Sequence, residues 1–490
     1  MTISLLHPEQ NQAQAEPISE RILYHLSIDR AFSYICSDAG KREQFLSVAS
    51  NLTDNKEEIL YRQEILQDFE QNPMLLEQLL SLSVRFEELQ SSQKIAEKDS
   101  YRIFSAGTAS LVSAKNILQV RALCLKRALL FVKAYGELLE THSVQSRGLT
   151  ALDTFCKELY DSSDFDSLLA FCSNYEHFSA SGFWNFRFAL DETGRIGEFE
   201  LIDRKYTQPP VPPQKKKSFS FFKKTEENVY PCEHLAFCSD GLLEKLEISA
   251  LSDLSGLFKN LSEQIFARFG ALGKELVFYE VARKYIDALK EKCVPICYPT
   301  FSQTQNVKVQ NLYDLYLLMS KPDPNDVIPN DLILQSSNLG LLVYGNNGSG
   351  KTVYLRSVGT MQILAQAGLP VPCKTAELTL FSQLATQFSE SEKEFCKGND
   401  AGRFEQEVRE LAVMVDALKS GSLVFLNETF QSTAYAEGAQ GLYHLLQYFS
   451  SRNIRWILVT HLHELENMFD HGETTVLHTT DGYRITAKQG

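Results

Sequence analysis

Apolar residues along this chain of 490 residues follow more than one period. Across residues 52–68 they recur near every 3.6 positions, as on one buried helix face. Residues 116–139 repeat the pattern through Ile117, Val120, Leu123, Ala128, Val132, Tyr135 and Leu139. Residues 242–292 do so over a longer stretch, through Leu254, Leu257, Leu261, Ile265, Phe269, Leu276, Tyr285 and Leu289. Packing between helices accounts for these stripes better than a groove awaiting a partner. Between the second and third stretches the pattern shortens. Residues 186–190 and 196–201 flank Asp191-Glu192-Thr193-Gly194-Arg195, which reads as a β-hairpin with a glycine-containing loop. Further on, short unbroken apolar runs at 341–344, 422–426 and 457–459 read as buried strands. Residues 353–367 return to helical spacing. The pattern predicts a mixed fold, a helical region with a small β insertion followed by an α/β domain.

One strand-to-helix junction carries chemistry. Gly345-Asn346-Asn347-Gly348-Ser349-Gly350-Lys351-Thr352 fits G-x-x-x-x-G-K-[ST], and Val353 opens the helix behind it. Such glycines let backbone N–H groups curl around a β-phosphate seated on a helix N-terminus. Lys351 can reach β- and γ-phosphate oxygens, and the Thr352 hydroxyl can ligate Mg²⁺. A glycine loop with an incidental lysine is the alternative, and the strand before and helix after argue against it. A nucleotide site is expected, with ATP and Mg²⁺ as its occupants. Two later strands end in Asn427-Glu428 and in Thr460-His461. In a phosphate-binding ATPase, the first such strand brings a Mg²⁺-associated residue and a carboxylate that orients the attacking water. The histidine can contact the γ-phosphate. Alone, these would be a strand-end turn and a satisfied core histidine; behind a phosphate loop the catalytic reading is preferred. The expected set is Lys351, Glu428 and His461 in catalysis, Gly345 to Val353 around the nucleotide, and Thr352 with Asn427 at the metal.

Composition adds bounds. The charged fraction of 22% and hydrophobic fraction of 44% are ordinary for a globular protein, and the length suggests about three domains. The net charge of −14 excludes a uniformly basic nucleic-acid surface, though not a local one. No run of 18 apolar residues suggests a membrane span, and no export signal opens the chain, so a cytoplasmic setting is expected. Ten cysteines include no Cys-x-x-Cys pair. Cys293 and Cys297 sit in a segment that reads as strand-like, where buried thiols in a reduced compartment are the better reading than a metal site.

These motifs together resemble the MutS DNA mismatch repair ATPases, relatives of ABC-type ATPases. The resemblance runs from Asn330 to Leu465. It rests on Ile328-Pro329-Asn330-Asp331, on Lys351-Thr352-Val353-Tyr354-Leu355-Arg356, on Ala365 through Pro372, on Asn427-Glu428 with the loop to Gly438, and on Thr460-His461-Leu462-His463-Glu464-Leu465. It implies a helical core region at 1–110, a helical lever or arm at 111–300, and an ABC-like ATPase domain at 301–490. It also implies a homodimer joined through the ATPase domains, DNA as partner and no membrane. Three departures stand out. Asn427 replaces the usual aspartate, which removes a negative charge from the metal site. The family's signature loop, offered in trans to the partner's γ-phosphate, appears as Gly402-Arg403-Phe404-Glu405. Arg403 then reads either as a cationic clamp on that phosphate or as a solvent-facing arginine at a helix start. No mismatch-reading domain precedes the core, and no long dimerising tail is expected after it.

Residues 203–224 hold seven basic residues and one acidic, with Pro209 to Pro213 leading into Lys215-Lys216-Lys217 and Lys223-Lys224. This insertion, part of a hairpin-containing stretch at about 183–230, suits a phosphate backbone and equally a solvated linker. In the resembled family the DNA clamp is also an arm insertion, which favours DNA contact. Two functions remain: an ATP-hydrolysing DNA clamp in repair or recombination, and a nucleotide-dependent switch or scaffold with weak hydrolysis acting on proteins.

Overall fold

The computed structural model describes residues 4–8, 17–105, 111–176, 182–190, 196–206, 240–302, 304, 306–338, 340–389, 403–430, 435–469 and 474–487. The chain opens with helices α1 (Glu20–His25), α2 (Ile28–Ile35), α3 (Ala39–Ala49), α4 (Lys56–Gln71), α5 (Pro73–Ser105), α6 (Leu111–His142), α7 (Arg147–Tyr160) and α8 (Ser163–Glu176). A hairpin of β1 (Gly182–Leu190) and β2 (Ile196–Tyr206) precedes the long α9 (Asp240–Glu291). Then come β3 (Thr300–Phe301), β4 (Val307–Leu312), α10 (Leu315–Ser320), β5 (Asn330–Leu334), β6 (Gly340–Tyr344), α11 (Lys351–Gln366), β7 (Thr375–Leu378) and β8 (Gln383–Phe388). The chain continues with α12 (Arg403–Ala417), β9 (Ser422–Asn427), α13 (Tyr435–Ser451), β10 (Arg455–Thr460), β11 (Thr474–Thr479) and β12 (Ile485–Ala487).

The fold is a mixture of helices and mixed sheets, divided into two compact units. One unit gathers Met1–Leu80, Leu138–Asp153 and Ala271–Gly490; the other gathers Ser81–Glu137 and Thr154–Gly270. Among the described residues, the second unit is helical apart from its hairpin. Leu118, Leu125, Leu129, Phe165, Leu251 and Phe258 form one of its cores, and Phe86 stacks on Phe131 with Phe266 and Phe269 around it. β1 and β2 pair antiparallel as their alternation predicts, with register shifts at Asn185/Phe186 and Ala189/Leu190.

The first unit contains a six-stranded sheet in the order β12-β11-β6-β10-β9-β8, parallel except where β12 meets β11. β6, β9 and β10 are buried along their whole length. That explains why their sequences are continuous apolar runs instead of alternating ones, since a parallel sheet is covered on both faces. A four-stranded sheet, β3-β7-β4-β5, lies in the same unit. Leu342, Leu426, Leu442, Leu446, Phe449, Trp456 and Leu458 form the core beside the larger sheet. On α11 even Gln362 and Gln366 are buried, and their amides are satisfied by Thr379 O, Thr53 O and Phe381 O.

The ends of α11 are set by two glycines. Gly350, at φ 95°, is its N-cap. At the other end Gly368, at φ 90°, donates to Ala365 O while Leu369 donates to Leu364 O, the paired bonds of a Schellman stop.

One sequence expectation is corrected. The Cys293–Cys297 stretch is no strand of buried thiols. Cys293 takes φ 53° as α9 ends and is exposed, and Cys297 is half-buried in an isolated bridge to Val371. The last strand begins at Ile485, and Tyr483, at φ 63°, belongs to the preceding turn. Among the described residues, no helix is long and apolar enough to cross a membrane.

Candidate functional site

Three adjacent parallel strands, β6, β10 and β9, deliver their carboxyl ends to one place. Ligand sites form there in open α/β sheets, because the loops leaving those ends diverge around a crevice. After β6 the chain enters the glycine loop, with Gly348 at φ 75° and Gly350 at φ 95°, values that side chains rarely adopt. Gly345 is required for a different reason. A Cβ there would lie 1.8 Å from Thr479 Oγ1 of β11, so only glycine lets the loop leave the sheet at this point.

Lys351, the first residue of α11, has a buried side chain. Its Nζ donates to Gly345 O at 2.7 Å and Asn346 O at 2.9 Å, and lies 3.9 Å from Glu428 Oε1. Burial lowers its pKa from the usual lysine value, and Glu428 opposes that shift. Thr352 Oγ1 donates to Asn427 Oδ1 at 2.9 Å. His461 Nε2 lies 2.9 Å from Glu428 Oε1. A carboxylate only accepts, so Nε2 is the donor in this contact, and the same nitrogen lies 3.4 Å from Lys351 Nζ. Glu428 itself sits at φ 56° and Phe430 at φ 64°, left-handed backbone at two non-glycine positions. The Glu428 N–H donates to Val459 O at 2.8 Å, which extends the β9–β10 pairing by one residue and holds the turn. Strain of this kind costs roughly 1–3 kcal/mol and gathers at functional sites.

The structure therefore brings together Lys351, Thr352, Asn427, Glu428 and His461, although up to 110 positions separate them in the chain. It also supplies a cleft of about 410 Å³ on the α11 side of the glycine loop. Gly348 to Tyr354 and Glu428 line one wall, and Leu312, Val327, Ile328, Asn330 and Tyr483 line another. Asn330 braces this second wall, donating to Tyr483 O at 3.2 Å and accepting from Ile485 N at 2.8 Å. Asp314 caps α10 through Leu317 N and lies 3.6 Å from Arg356, which bonds the cleft's outer helix to α11. Burial raises the Asp314 carboxyl above the usual range, against the pull of Arg356.

Two family models match the chain: MutS domain V over residues 341–482, and the MutS2 N-terminal domain over residues 54–292. The chain belongs to the MutS family. Similar proteins include DNA mismatch repair protein MutS of Lactobacillus delbrueckii, 27% identical over 45% of this chain and 25% of its own length. MutS of Staphylococcus saprophyticus is 28% identical over 47% of this chain and 27% of its own length. MutS of Prochlorococcus marinus is 31% identical over 30% of this chain and 16% of its own length. The chain thus spans about a quarter or less of these curated relatives. The MutS domain V match encloses Lys351, Thr352, Asn427, Glu428 and His461, while the cleft residues Leu312, Val327, Ile328, Asn330 and Tyr483 lie outside it.

Around this MutS-family cluster, not every residue singled out from the sequence is described. Arg403 is the first residue of α12, and its side chain lies outside the described residues, as do Ser432 and Thr433. Motif spacing does not single out the second row behind the site. Thr429 Oγ1 donates to Gln387 Oε1 at 2.5 Å, and Phe430 N donates to Glu407 Oε1 at 3.3 Å. Ser389 N donates to Asn427 O at 3.1 Å, and Phe388 stacks on His25 of α1 at 4.6 Å between ring centroids. No spacing rule links these positions, because they come from different elements and act through single contacts.

Proposed function

We propose that this chain is an ATP-binding and hydrolysing member of the MutS family that controls DNA binding through a dimeric clamp, in DNA repair or recombination. The observation that carries this reading is the clustering of Lys351, Thr352, Asn427, Glu428 and His461, of which Lys351, Thr352 and Glu428 line one cleft. The relatives are named as DNA mismatch repair proteins, which supports DNA as the partner.

The residues suit a nucleotide. Lys351 exchanges its two backbone carbonyl partners for β- and γ-phosphate oxygens, and the positive-φ glycines leave room for the phosphate chain. The apolar wall of Leu312, Val327 and Ile328 takes the base. Thr352 and Asn427 would hold Mg²⁺, whose charge would offset that of the phosphates. Thr352 and Asn427 offer it adjacent neutral oxygens, so metal affinity depends on the phosphates more than on the protein. Glu428 orients the attacking water and accepts its proton, while His461 holds the carboxylate in place. Arg403, at the head of α12, is the cation offered to the partner subunit's γ-phosphate. Residues 301–490 act as an ABC-like ATPase region and 111–300 as the arm. The basic stretch at 207–224 lies outside the described residues, and its charge assigns it to the DNA backbone.

Two measurements test this. Lys351→Ala should abolish ATP binding, because no other lysine in the loop can substitute; turnover equal to the parent would overturn the nucleotide site. Neutralising Lys215, Lys216, Lys217, Lys223 and Lys224 should weaken DNA binding and flatten its salt dependence by nearly one unit of slope per lost phosphate contact. An unchanged slope, with ATP turnover intact, would favour the reading in which the chain is a nucleotide switch for protein partners.

A further inference from the structure

The peptide unit that joins Asn427 to Glu428 is gripped from both sides. Its N–H donates to Val459 O on β10 at 2.8 Å, and its carbonyl accepts from Ser389 N, just past β8, at 3.1 Å. The two grips are unequal. β10 lies inside the six-stranded sheet and is buried throughout, whereas β8 is the edge strand and pairs only with β9. An edge strand has no second neighbour to hold its end, and a helix commonly covers it instead.

Here the cover is α1. Thr386 and Phe388, two positions apart on β8, share one face, and both meet His25. Its Nδ1 lies 2.8 Å from Thr386 Oγ1, and its ring stacks on Phe388 with centroids 4.6 Å apart and planes 4° from parallel. Phe388 stands opposite Asn427 in the β8–β9 register. Gln387, between them, turns to the other face and accepts from Thr429 Oγ1. Burial first, and Arg21 with it, lower the His25 pKa to about 4 against the pull of Glu410. At neutral pH the ring is therefore uncharged and stacks with no ion to desolvate.

We propose that His25 is a positioning residue for Asn427, acting through Thr386 and Phe388 on the end of β8. The role rests on Thr352 and Asn427 holding Mg²⁺, as proposed above. An aspartate would draw the metal by its charge, whereas a neutral carboxamide contributes only where its oxygen points. Asn427 Oδ1, which accepts from Thr352 Oγ1 at 2.9 Å, thus needs a fixed backbone beneath it.

Two measurements on the full chain test this, one of them without nucleotide. Hydrogen exchange over residues 383–389 of the nucleotide-free protein should speed up roughly 3–10-fold in His25→Ala, the range set by losing one hydrogen bond and one ring stack. His25→Phe keeps the stack and should restore most of the protection. In a Mg²⁺ titration of ATP turnover, His25→Ala should raise the half-saturating concentration by a similar factor and leave metal-free nucleotide binding unchanged. With Asn427→Asp in place, charge draws the metal, so the same replacement should shift half-saturation less. Arg21→Ala breaks the 2.6 Å contact of α1 with Glu410 on α12 and spares the β8 contacts, so it should move neither readout. Exchange unchanged in His25→Ala would overturn the proposal. So would equal Mg²⁺ shifts in the two backgrounds, or an Arg21→Ala effect matching that of His25→Ala. Should His25→Ala fail to fold, Thr386→Val removes the hydroxyl partner, keeps the strand and gives the same readouts. A parent without Mg²⁺-dependent turnover would fell the nucleotide reading, while the exchange result would still decide whether His25 holds β8.

Discussion

Glu428 occupies left-handed backbone at φ 56° and accepts from His461 at 2.9 Å. Both features hold its carboxylate over the cleft, and neither depends on the side chain being charged. Glu428→Gln keeps an oxygen that can accept from His461 but cannot take a proton from water. Nucleotide binding should therefore be retained while hydrolysis slows by roughly 10²–10⁴-fold. Single-turnover kinetics beside a binding titration would check it, and unchanged turnover would make Glu428 a structural residue. At this scale the sequence was informative where chemistry demands a fixed spacing. The glycine loop, Lys351 and Thr352 were legible because eight consecutive positions must cooperate around one phosphate. Gln387 behind Thr429, and His25 behind Phe388, were not, because one hydrogen bond or one ring stack leaves no periodic trace.

Helices and strands of the larger sheet were legible for a related reason. β6, β9 and β10 are buried on both faces, and a short unbroken apolar run that ends in a glycine loop or a polar pair fits little besides such a strand. The short strands of the smaller sheet left a weaker signal, since β3 has only two residues and the alternation of β4 breaks before Leu312. The ends of elements depend on contacts that lie far off in sequence. α11 stops at Gly368, where φ is 90° and a Cβ would come 2.7 Å from Arg62 Cβ and 3.2 Å from Ile59 O of α4. Gly368→Ala therefore meets two penalties, left-handed backbone and a clash with a helix some 300 positions earlier. It should destabilise the fold by at least about 1–2 kcal/mol. Denaturant melts of the two proteins would measure the loss, and an unchanged midpoint would mean that α4 and α11 do not pack as described.

On the scale of the whole molecule, periodicity gave no sign that the first 80 residues belong with the last 220. A helical stripe records that a face is buried, not which distant segment buries it. The unit containing the cleft is assembled from Met1–Leu80, Leu138–Asp153 and Ala271–Gly490, and its early segments bond to late ones. Gln366 closes on Thr53 O, Thr360 on Leu26 O and Tyr279 on Leu5 O. The feature matters most while the chain is being made. Roughly 190 residues separate Leu80 from Ala271, so at ribosomal speed the apolar faces of α1 to α4 wait about 10–40 s for their partners. During that interval Ser81–Glu137 and Thr154–Gly270 can fold, whereas the amino-terminal helices remain open to proteases and to chaperones. A chain halted at residue 270 should lose residues 1–80 to limited proteolysis while a fragment from the second unit survives. Assembly of the cleft thus waits on translation of β6 to β12, long after α1 to α4 have left the ribosome.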